Sequence, residues 1–360
     1  MAALIDIDSL WKVFGERPEL ALEELLNGAD EDELHVRTGA RAAVRDVSLS
    51  IEAGEIFVVM GLSGSGKSTL LRMINGLIQP TAGRLSISGK SFDQQSAAEI
   101  QQLRRTLMAM VFQSFALFPQ RTALENAAFG LEVAGVPRRD RLNKARSALE
   151  SVGLGREVGK FPRQLSGGMQ QRVGLARALA LDPPILLMDE AFSALDPLIR
   201  RDMQEQLLQL QKDHPRTIIF ISHDLDEAVR LGDRIALMKN GRVLQCGTAK
   251  NLLLHPADEQ VRRFFRDVDA SSVITVDAVA EIPSSHNCVV NDKGILQGVQ
   301  GPDGSIIPAE NGPLLRAGTT IRDAMDTVAS AAYPVPVVDG NQRLIGLLGP
   351  RRLLRSMVME

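Results

Sequence analysis

Residues 55–75 read Glu-Ile-Phe-Val-Val-Met-Gly-Leu-Ser-Gly-Ser-Gly-Lys-Ser-Thr-Leu-Leu-Arg-Met-Ile-Asn, and they specify a strand, a glycine-rich loop and a helix in succession. The opening Glu55–Met60 is short, apolar and rich in β-branched residues, so it predicts a buried strand. After the loop, Leu70, Leu71 and Ile74 recur at helical spacing. This order of elements is the context in which a glycine-rich loop binds phosphate.

The loop itself, Gly61–Ser68, fits the pattern G-x-x-x-x-G-K-[ST] without a gap. Glycines let backbone N–H groups approach phosphate oxygens, which also meet the positive end of the following helix. In this pattern the Lys67 ammonium meets the β- and γ-phosphates, and the Ser68 hydroxyl is a ligand of Mg²⁺. An ordinary Gly/Ser turn before a helix is the alternative, and the flanking strand and helix count against it.

Polar residues follow three further apolar runs. Gln113 comes after a predicted strand, Asp189 and Glu190 end the run that starts at residue 185, and His223 follows Thr217–Ser222. Taken singly, such residues are more often loop residues, helix caps or surface pairs. In this order, each ends a strand at the edge where open α/β sheets bind ligands. Asp189 is then expected to hold Mg²⁺, and Glu190 to orient water or act as general base.

A second glycine turn, Leu165-Ser-Gly-Gly-Met-Gln-Gln-Arg172, opens a helix about a hundred residues after the phosphate loop. It resembles the signature motif of ABC-type ATPases, and Ser193-Ala-Leu-Asp196 resembles the D-loop of that family. The resemblance covers about residues 5–250 and implies an α/β fold, a P-loop ATPase domain with a helical signature subdomain. It also implies a homodimer, since one chain cannot close both phosphate-facing surfaces on the same nucleotide.

The same resemblance implies ATP and Mg²⁺ as ligands and gives each motif residue a role. Glu190, His223 and Gln113 are the implied catalytic residues, and Ser68, Gln113 and Asp189 the implied magnesium ligands. Contacts with ATP are implied for Phe14, Gly61, Ser63, Gly64, Gly66, Lys67, Ser68, Thr69, Ser166, Gly167, Gly168 and Asp196. The signature residues would act on the nucleotide held by the other copy.

An aromatic near the end of the first strand stacks on adenine in this family. The segment Leu10-Trp-Lys-Val-Phe-Gly15 offers two, Trp11 and Phe14. Trp11 is the stronger stacking residue, but Phe14 lies directly before Gly15 and matches the family position better. Ordinary core packing is the alternative for either, and we favour Phe14 as the adenine contact.

Composition favours a cytoplasmic protein without nucleic-acid partners. The chain has 360 residues and a net charge of −3, with a pI near 6.0, so it lacks the basic surplus typical of nucleic-acid binding. Cys246 and Cys288 have no metal or redox spacing and are expected to be free thiols. No apolar run approaches the ~18 residues of a membrane span, and the N-terminus lacks a signal peptide's basic start. Attachment to the cytoplasmic face of the plasma (inner) membrane is therefore expected to be peripheral, through a partner.

About 25 residues (roughly 16–41) separate the opening strand from Val44–Ile51, where most ABC domains have a short turn. A first helix is predicted to begin at Pro18 and to end before Gly28, with Leu22, Leu25 and Leu26 on one face. A second helix is expected from the capping-box spacing at 30–33. That acidic run is interpreted as a solvated helix start and not as a partner site.

The exact residues of several motifs narrow the resemblance to one subfamily. Segments 56–64, 111–117, 187–200 and 221–228 closely resemble the ATPase subunits of glycine betaine/proline/choline importers. This resemblance implies an integral-membrane permease as partner and, through it, a periplasmic or extracellular solute-binding protein. An importer ATPase for another small solute, such as an amino acid, and an ABC ATPase outside transport are the alternatives.

The segment 269–360 is expected to be a separate domain following an ATPase domain at 1–268. Val289–Val299 and Val337–Leu347 form a degenerate repeat at an offset of 337 − 289 = 48 residues, each with a hairpin signal. A helix is expected over 319–328 and another around Leu353. The pair resembles a small α+β tandem of CBS motifs, which that importer subfamily carries as a regulatory tail. The first copy lacks a leading helix, and neither has the Ser/Thr-x-x-Asp that binds ribose, so nucleotide binding there is not expected.

Overall fold

The computed structural model describes residues 3–92, 95–266, 268–281, 288–300 and 305–357. The chain divides into two compact units, Met1–Arg263 and Phe264–Glu360. The boundary expected from the sequence, after residue 268, lies five residues beyond this division (268 − 263 = 5). Within the described ranges, no helix is both long enough and apolar enough to cross a lipid bilayer.

The described part of the first unit has ten strands in two sheets. They are β1 (Ile5–Phe14), β2 (Arg41–Ile51), β3 (Ile56–Met60), β4 (Ala82–Ile87), β5 (Lys90–Ser91), β6 (Met108–Val111), β7 (Ile185–Asp189), β8 (Thr217–Ser222), β9 (Arg234–Lys239) and β10 (Arg242–Gly247). One sheet is antiparallel, in the order β2-β1-β4-β5, and the other has the order β10-β9-β3-β8-β7-β6.

The six-stranded sheet positions the site. Strands β6, β7, β8, β3 and β9 run parallel, and β10 pairs antiparallel at one edge. Every residue of β3, β7 and β8 is buried, because parallel strands covered on both faces become continuous apolar runs. Full burial of a side chain such as Phe57 or Phe220 contributes about 1.5–3 kcal/mol to stability. The buried strands predicted at 55–60 and 217–222 are confirmed.

The helices up to residue 265 are α1 (Pro18–Leu26), α2 (Glu31–Thr38), α3 (Lys67–Ile74), α4 (Ala97–Leu107), α5 (Ala123–Ala127), α6 (Phe129–Val133), α7 (Arg138–Ser151), α8 (Gly167–Leu179), α9 (Pro197–Asp213), α10 (Leu225–Leu231), α11 (Ala249–Leu254) and α12 (Glu259–Phe265). Helices α5, α7 and α8 pack on one another. They form the helical subdomain expected to carry the signature turn.

Both helices of the insert form as expected. Pro18 is the first residue of α1, and the Asp30 carboxylate caps α2 by accepting from the Glu33 N–H at 3.0 Å. Leu22 and Leu34 are buried in a small apolar cluster with the ends of β1 and β2. This cluster fixes the insert to the antiparallel sheet.

The predicted apolar face of α1 is only partly right. Leu26 is exposed, and Ala21 is buried beside Leu22 in the cluster instead. Leu25 is partly buried against the same cluster as predicted. At 100° per residue, positions 21, 22 and 25 share the face that meets the sheet, and position 26 falls at the edge of that face.

The described part of the second unit contains α13 (Val276–Val279), β11 (Cys288–Val290), β12 (Leu296–Gln300), β13 (Ile306–Pro308), β14 (Leu315–Arg316), α14 (Ile321–Ser330), β15 (Val335–Val338), β16 (Leu344–Leu348) and α15 (Pro350–Met357). Strands β11-β12-β13 form one sheet and β14-β15-β16 another. The helices predicted over 319–328 and around Leu353 are confirmed, as α14 and α15.

The two copies of the repeat fold alike. Each is an antiparallel hairpin, β11–β12 and β15–β16. The Oδ1 atom of Asn291 accepts from the N–H groups two and four residues later, at 3.0 Å each. Asp339, at the equivalent position (339 − 291 = 48), accepts from the N–H groups at the same two offsets, at 2.8 Å each. The repeat read from the sequence is therefore also a repeat of turn geometry.

The copies differ in the helix that precedes them. The second is preceded by α14, capped by Thr320, whereas the segment before the first contains the four-residue α13. Part of the segment 277–287, which the sequence predicts to be too short for a leading helix and its connection, lies at 282–287, outside the described residues.

Candidate nucleotide-binding and catalytic site

The phosphate loop joins β3 to α3 and is packed too tightly to carry side chains at its outer glycines. A Cβ on Gly61 would lie 2.1 Å from the Met238 carbonyl oxygen, and one on Gly66 would lie 2.2 Å from the Ala43 carbonyl oxygen. Gly66 also has φ +100°, which favours glycine. Close backbone packing therefore fixes the glycine spacing of the pattern.

Lys67 begins α3 and is almost completely buried. Its ammonium donates to the carbonyl oxygens of Gly61 at 2.7 Å and Leu62 at 2.9 Å. Burial lowers the pKa of Lys67, and the nearby carboxylates of Glu190 and Asp189 act in the opposite direction. A polyanion bound in the loop would oppose the effect of burial in the same way, so the site favours phosphate over neutral ligands.

Ser68 and Asp189 meet at the base of the loop. The Ser68 hydroxyl donates to Asp189 Oδ1 at 2.9 Å, and burial raises the pKa of Asp189 against the effect of that hydrogen bond. Among the described residues, no three His, Cys, Asp or Glu side chains cluster to hold a metal by themselves. A hydroxyl and one carboxylate suit Mg²⁺, which is usually bound through one or two carboxylates together with phosphate oxygens and water.

Glu190 lies at the centre of a polar cluster beyond the end of β7. His223 Nδ1 lies 3.1 Å from Glu190 Oε2, and the Gln113 amide nitrogen lies 3.4 Å from the same oxygen. Because a carboxylate only accepts, Nδ1 of His223 carries the hydrogen. The Gln113 amide also donates to Ser193 Oγ at 3.4 Å. The structure thus brings together the three residues proposed from the sequence as catalytic.

One cavity of about 780 Å³ is lined by the phosphate loop and, from the polar cluster, by Glu190. At the phosphate end its lining contains Ser63, Gly64, Gly66, Lys67, Ser68, Thr69 and Glu190. The other end is lined by Phe14, Arg41, Arg45 and three residues of α2, namely Glu31, Asp32 and His35. The insert therefore forms part of the nucleotide cavity, which the sequence reading of 30–33 as a solvated helix start did not anticipate.

Phe14 and Trp11 lie in different places. Phe14 is 42% exposed and lines the phosphate-loop cavity. Trp11 does not line that cavity but an adjoining polar one, which shares Glu31, Asp32 and Arg45 with it, and the Arg242 guanidinium lies 6.0 Å from the Trp11 ring centroid. Of the two aromatics weighed from the sequence, Phe14 is the one positioned to meet a base in this cavity.

The signature turn stands apart from the cavity of its own chain. Ser166 caps α8, accepting from the Met169 N–H at 3.3 Å, and a Cβ on Gly168 would lie 2.5 Å from an Ile199 methyl. Ser166 and Gly167 are exposed. Asp196 is exposed and caps α9. In the described part of the chain, none of these residues lines the cavity around Lys67.

Sequence reasoning missed Arg200, which links two of the motifs. Its guanidinium donates to the D-loop carbonyl oxygens of Ser193 at 3.3 Å and Leu195 at 3.2 Å. It also pairs with Asp224, the residue after His223, at 3.0 Å. The one available signal was its position one turn after Asp196, at the start of a helix that follows a motif.

Arg177 is a second residue that sequence reasoning missed. It lies in α8 and donates to the carbonyl oxygens of Ala116 at 2.6 Å and Phe115 at 3.3 Å. Burial lowers the pKa of Arg177. The arginine thereby ties the segment after Gln113 to the helix that follows the signature turn.

The nucleotide cavity, the paired carboxylates and the separate signature turn define a class, the ATP-binding cassettes. The family model for ABC transporter matches residues 44–193. The chain is 45% identical to the glycine betaine/proline betaine transport system ATP-binding protein ProV of Escherichia coli, over 100% of this chain and 99% of that protein. It is 43% identical to the glycine betaine transport ATP-binding protein OpuAA of Bacillus subtilis, over 96% and 90% of the two chains. The chain belongs to the ABC transporter family of ATP-binding proteins.

Solved structures agree. The dimeric post-hydrolysis ATP-binding cassette MJ0796, bound to ADP and Pi, is 32% identical with a TM-score of 0.57, covering 68% of this chain and 98% of that one. The structure of cbiO1 from Clostridium perfringens, part of the ABC transporter complex cbiONQ, gives 26% identity and a TM-score of 0.59, covering 74% of this chain and 96% of that one. This chain is accordingly an ATPase that uses ATP with Mg²⁺ and serves a membrane transport system.

Proposed function

We propose that this chain drives uptake of quaternary amines of the glycine betaine, proline betaine and choline type through a partner permease. The observation that carries the proposal is the similarity to the glycine betaine/proline betaine protein over the full length of both chains, second unit included. An extracellular or periplasmic solute-binding protein would select the solute, because the nucleotide site has no groups directed at an osmolyte. The chain would attach peripherally to the cytoplasmic face of the membrane.

Reconstitution tests this proposal. The chain and the permease that co-purifies with it from membranes would be inserted into vesicles, with ATP on the side of the ATPase and the solute-binding protein on the other. We expect ATP-dependent accumulation of labelled glycine betaine, competed by unlabelled proline betaine and choline but not by methionine. Uptake of methionine, with none of glycine betaine, would replace the solute class and leave the ATPase assignment intact.

For hydrolysis we propose a shared site in which two copies bind two ATP molecules head to tail. Gly61–Ser68 of one copy would hold the phosphates, while Ser166, Gly167 and Gly168 of the other would donate to the same γ-phosphate. The proposal is supported by the exposed signature turn, which is separate from the cavity of its own chain. Asp196 caps α9, the helix that follows α8 along the chain, and would belong to the same interface.

Within that site we propose that Glu190 accepts a proton from the attacking water. The water oxygen bonds to the γ-phosphorus as the bond to the bridging β,γ-oxygen breaks, so that ADP leaves and inorganic phosphate forms. His223 and Gln113 hold the Glu190 carboxylate and the γ-phosphate in place, and Lys67 offsets charge on the β- and γ-phosphates. When bound, Mg²⁺ would be held by Ser68, Asp189 and Gln113 and would neutralise charge on the phosphates.

We further propose that the second unit is a degenerate CBS-like pair that regulates transport. The proposal is supported by two hairpins with the same turn geometry, joined by a hydrogen bond from the Leu344 N–H to the Gly294 carbonyl at 3.0 Å. We take ionic strength as the proposed signal, because salt screens interactions between exposed charges. Removing residues 269–360 should then leave ATP-dependent uptake but abolish its dependence on salt concentration, whereas an unchanged salt response would contradict the regulatory role.

A further inference from the structure

Helix α2 of the insert forms one wall of the nucleotide cavity at the end away from the phosphates. Glu31 and His35 are four residues apart and therefore share a face of the helix, and both line the cavity with Asp32 and Phe14. Leu34 points the other way and is buried in the cluster with Ala21, Leu22, Val13, Ala40 and Ala42. The wall is thus held on the sheet by apolar packing.

His35 is oriented by a backbone hydrogen bond. Its Nδ1 lies 3.0 Å from the Ala40 carbonyl oxygen, and because a carbonyl only accepts, Nδ1 carries the hydrogen. In the neutral ring, Nε2 is then an acceptor without a proton. Within the described structure, Nε2 has no hydrogen-bond partner. The ring consequently presents a fixed acceptor.

This acceptor lies close to the aromatic contact for the base. Ala40 precedes Arg41, the strand partner of Phe14, and a Cβ on Gly15 would lie 3.1 Å from Ala40 Cα. The carbonyl that orients His35 therefore belongs to the residue packed against the Phe14–Gly15 corner. An aromatic surface and a hydrogen-bond acceptor meet at one corner of the cavity.

The charges of the wall add to this pattern. Glu31 pairs with Arg45, whose pKa is lowered by burial. Asp32 is exposed beside it, and no ion pair of Asp32 is found in the described residues. Two acceptors, His35 Nε2 and the Asp32 carboxylate, are therefore available at the base end.

We propose that α2 selects adenine over guanine, with His35 Nε2 accepting a hydrogen bond from the 6-amino group of a base stacked on Phe14. Asp32 assists as the neighbouring acceptor. Guanine has a carbonyl oxygen at that position, so an acceptor would face an acceptor and both would be left unpaired. His35 is thus a specificity residue for the nucleotide, contributed by the insert that distinguishes this chain from shorter cassettes. The inference rests on the proposed ATP site and not on the proposed solute.

Equilibrium binding to the purified full chain tests the inference. We would measure the Kd of ATP, GTP and purine riboside triphosphate, which lacks the 6-amino group, for the unaltered chain and for His35→Ala. We expect the unaltered chain to bind ATP at least tenfold more tightly than GTP, and His35→Ala to lose most of that ratio through weaker ATP binding. Purine riboside triphosphate should bind both proteins equally, because it cannot make the hydrogen bond.

Two controls make the result decisive. His255→Ala removes a histidine outside the cavity and should keep the ATP/GTP ratio, and Asp32→Asn should reduce it by less than His35→Ala. A loss of affinity for all three nucleotides in His35→Ala would show a structural effect and overturn the inference, as would an unchanged ATP/GTP ratio. Failure of quaternary amine uptake in vesicles would leave this binding result untouched.

Discussion

At the scale of single residues, Glu190 combines an unusual backbone with a defined set of contacts. Its φ of +46° is uncommon for a residue with a side chain. The Ile221 carbonyl accepts from its N–H at 3.2 Å, and Ser193 Oγ donates to its carbonyl at 2.9 Å. These bonds hold the carboxylate toward His223. Such an outlier, held by its surroundings, is typical of a functional position.

Replacing Glu190 with glutamine keeps the size of the side chain but removes the base. We expect ATP binding to be retained and hydrolysis to fall by at least ~10², with dimers trapped closed around ATP. Single-turnover hydrolysis, nucleotide affinity and size-exclusion chromatography with ATP would measure these effects. Glu205→Gln, an exposed carboxylate on α9, is the matched control and should hydrolyse ATP normally. Undiminished turnover in Glu190→Gln would remove this residue from the role of base.

A second prediction at this scale concerns Glu227, which is buried in α10 against Ser222, the residue before His223. Ser222 Oγ donates to its carboxylate at 2.5 Å and Gln204 at 3.1 Å, yet burial raises the pKa of Glu227 above its ordinary value of 4.5. The folded chain then binds this proton more tightly than the unfolded chain. Ionisation of Glu227 therefore lowers the free energy of unfolding, and the loss grows as pH rises from about 4.5 through the raised pKa.

Glu227→Gln should flatten that part of the pH dependence. Urea midpoints of the first unit, measured from pH ~4.5 to ~7.5, should fall less with rising pH in the variant than in the unaltered chain. Glu99→Gln is a control of opposite sign, because hydrogen bonds from Ser96 lower the pKa of Glu99. The stability that the Glu99 carboxylate contributes to the unaltered chain is present above the ordinary pKa of this group and is lost as pH falls through the lowered one. Parallel curves for Glu227→Gln and the unaltered chain would contradict the assignment.

At the scale of elements, the strands of the central sheet could be predicted and the links between motifs could not. The runs at 56–60 and 218–221 are apolar at every position because both faces are covered, and that pattern is visible in the sequence. The contact of His35 with Ala40, and the lining of the cavity by Glu31, depend on how α2 packs against β2. No local pattern specifies that packing.

The insert also shows which features of an element can be predicted from its sequence and which cannot. The proline and the aspartate predict the first residues of α1 and α2, and the glycine at 28 predicts the end of α1 to within two residues, because caps are local interactions. The side chains that pack were less certain: Leu34 is buried, whereas Leu26 is exposed. Helix existence follows from local chemistry, but the buried face depends on the neighbouring sheet.

Helix α9 provides the prediction at this scale, since Arg200 joins the D-loop to the residue after the switch histidine. We expect Arg200→Met to lower hydrolysis roughly tenfold while ATP affinity stays the same, because its partners lie outside the nucleotide cavity. Comparing kcat with nucleotide Kd would separate the two effects. Arg201→Met is the matched control, being the adjacent, exposed arginine. Weaker ATP binding in Arg200→Met with unchanged kcat would contradict the positioning role.

At the scale of the whole molecule, the shared-site proposal predicts complementation between two inactive variants. Ser166→Arg blocks the signature turn, and Lys67→Ala removes the phosphate contact, so homodimers of either should be nearly inactive. A mixed dimer has one site built from intact Lys67 of one copy and intact Ser166 of the other. With random pairing, half of the dimers are mixed and each has one intact site of two, so activity should return to about a quarter of normal.

The mixing experiment distinguishes the shared site from a site within one chain. ATPase activity would be measured for each variant alone and after mixing in equal amounts, with time for the copies to exchange. A chain that completes its own site would gain nothing from a partner, so the mixture would stay as inactive as its components. The double variant, Ser166→Arg with Lys67→Ala, mixed with Lys67→Ala is the matched control: none of its dimers contains an intact Lys67, so it should show no recovery. Recovery in the first mixture alone would locate each hydrolytic site between two copies and make closure of the dimer a requirement of every turnover.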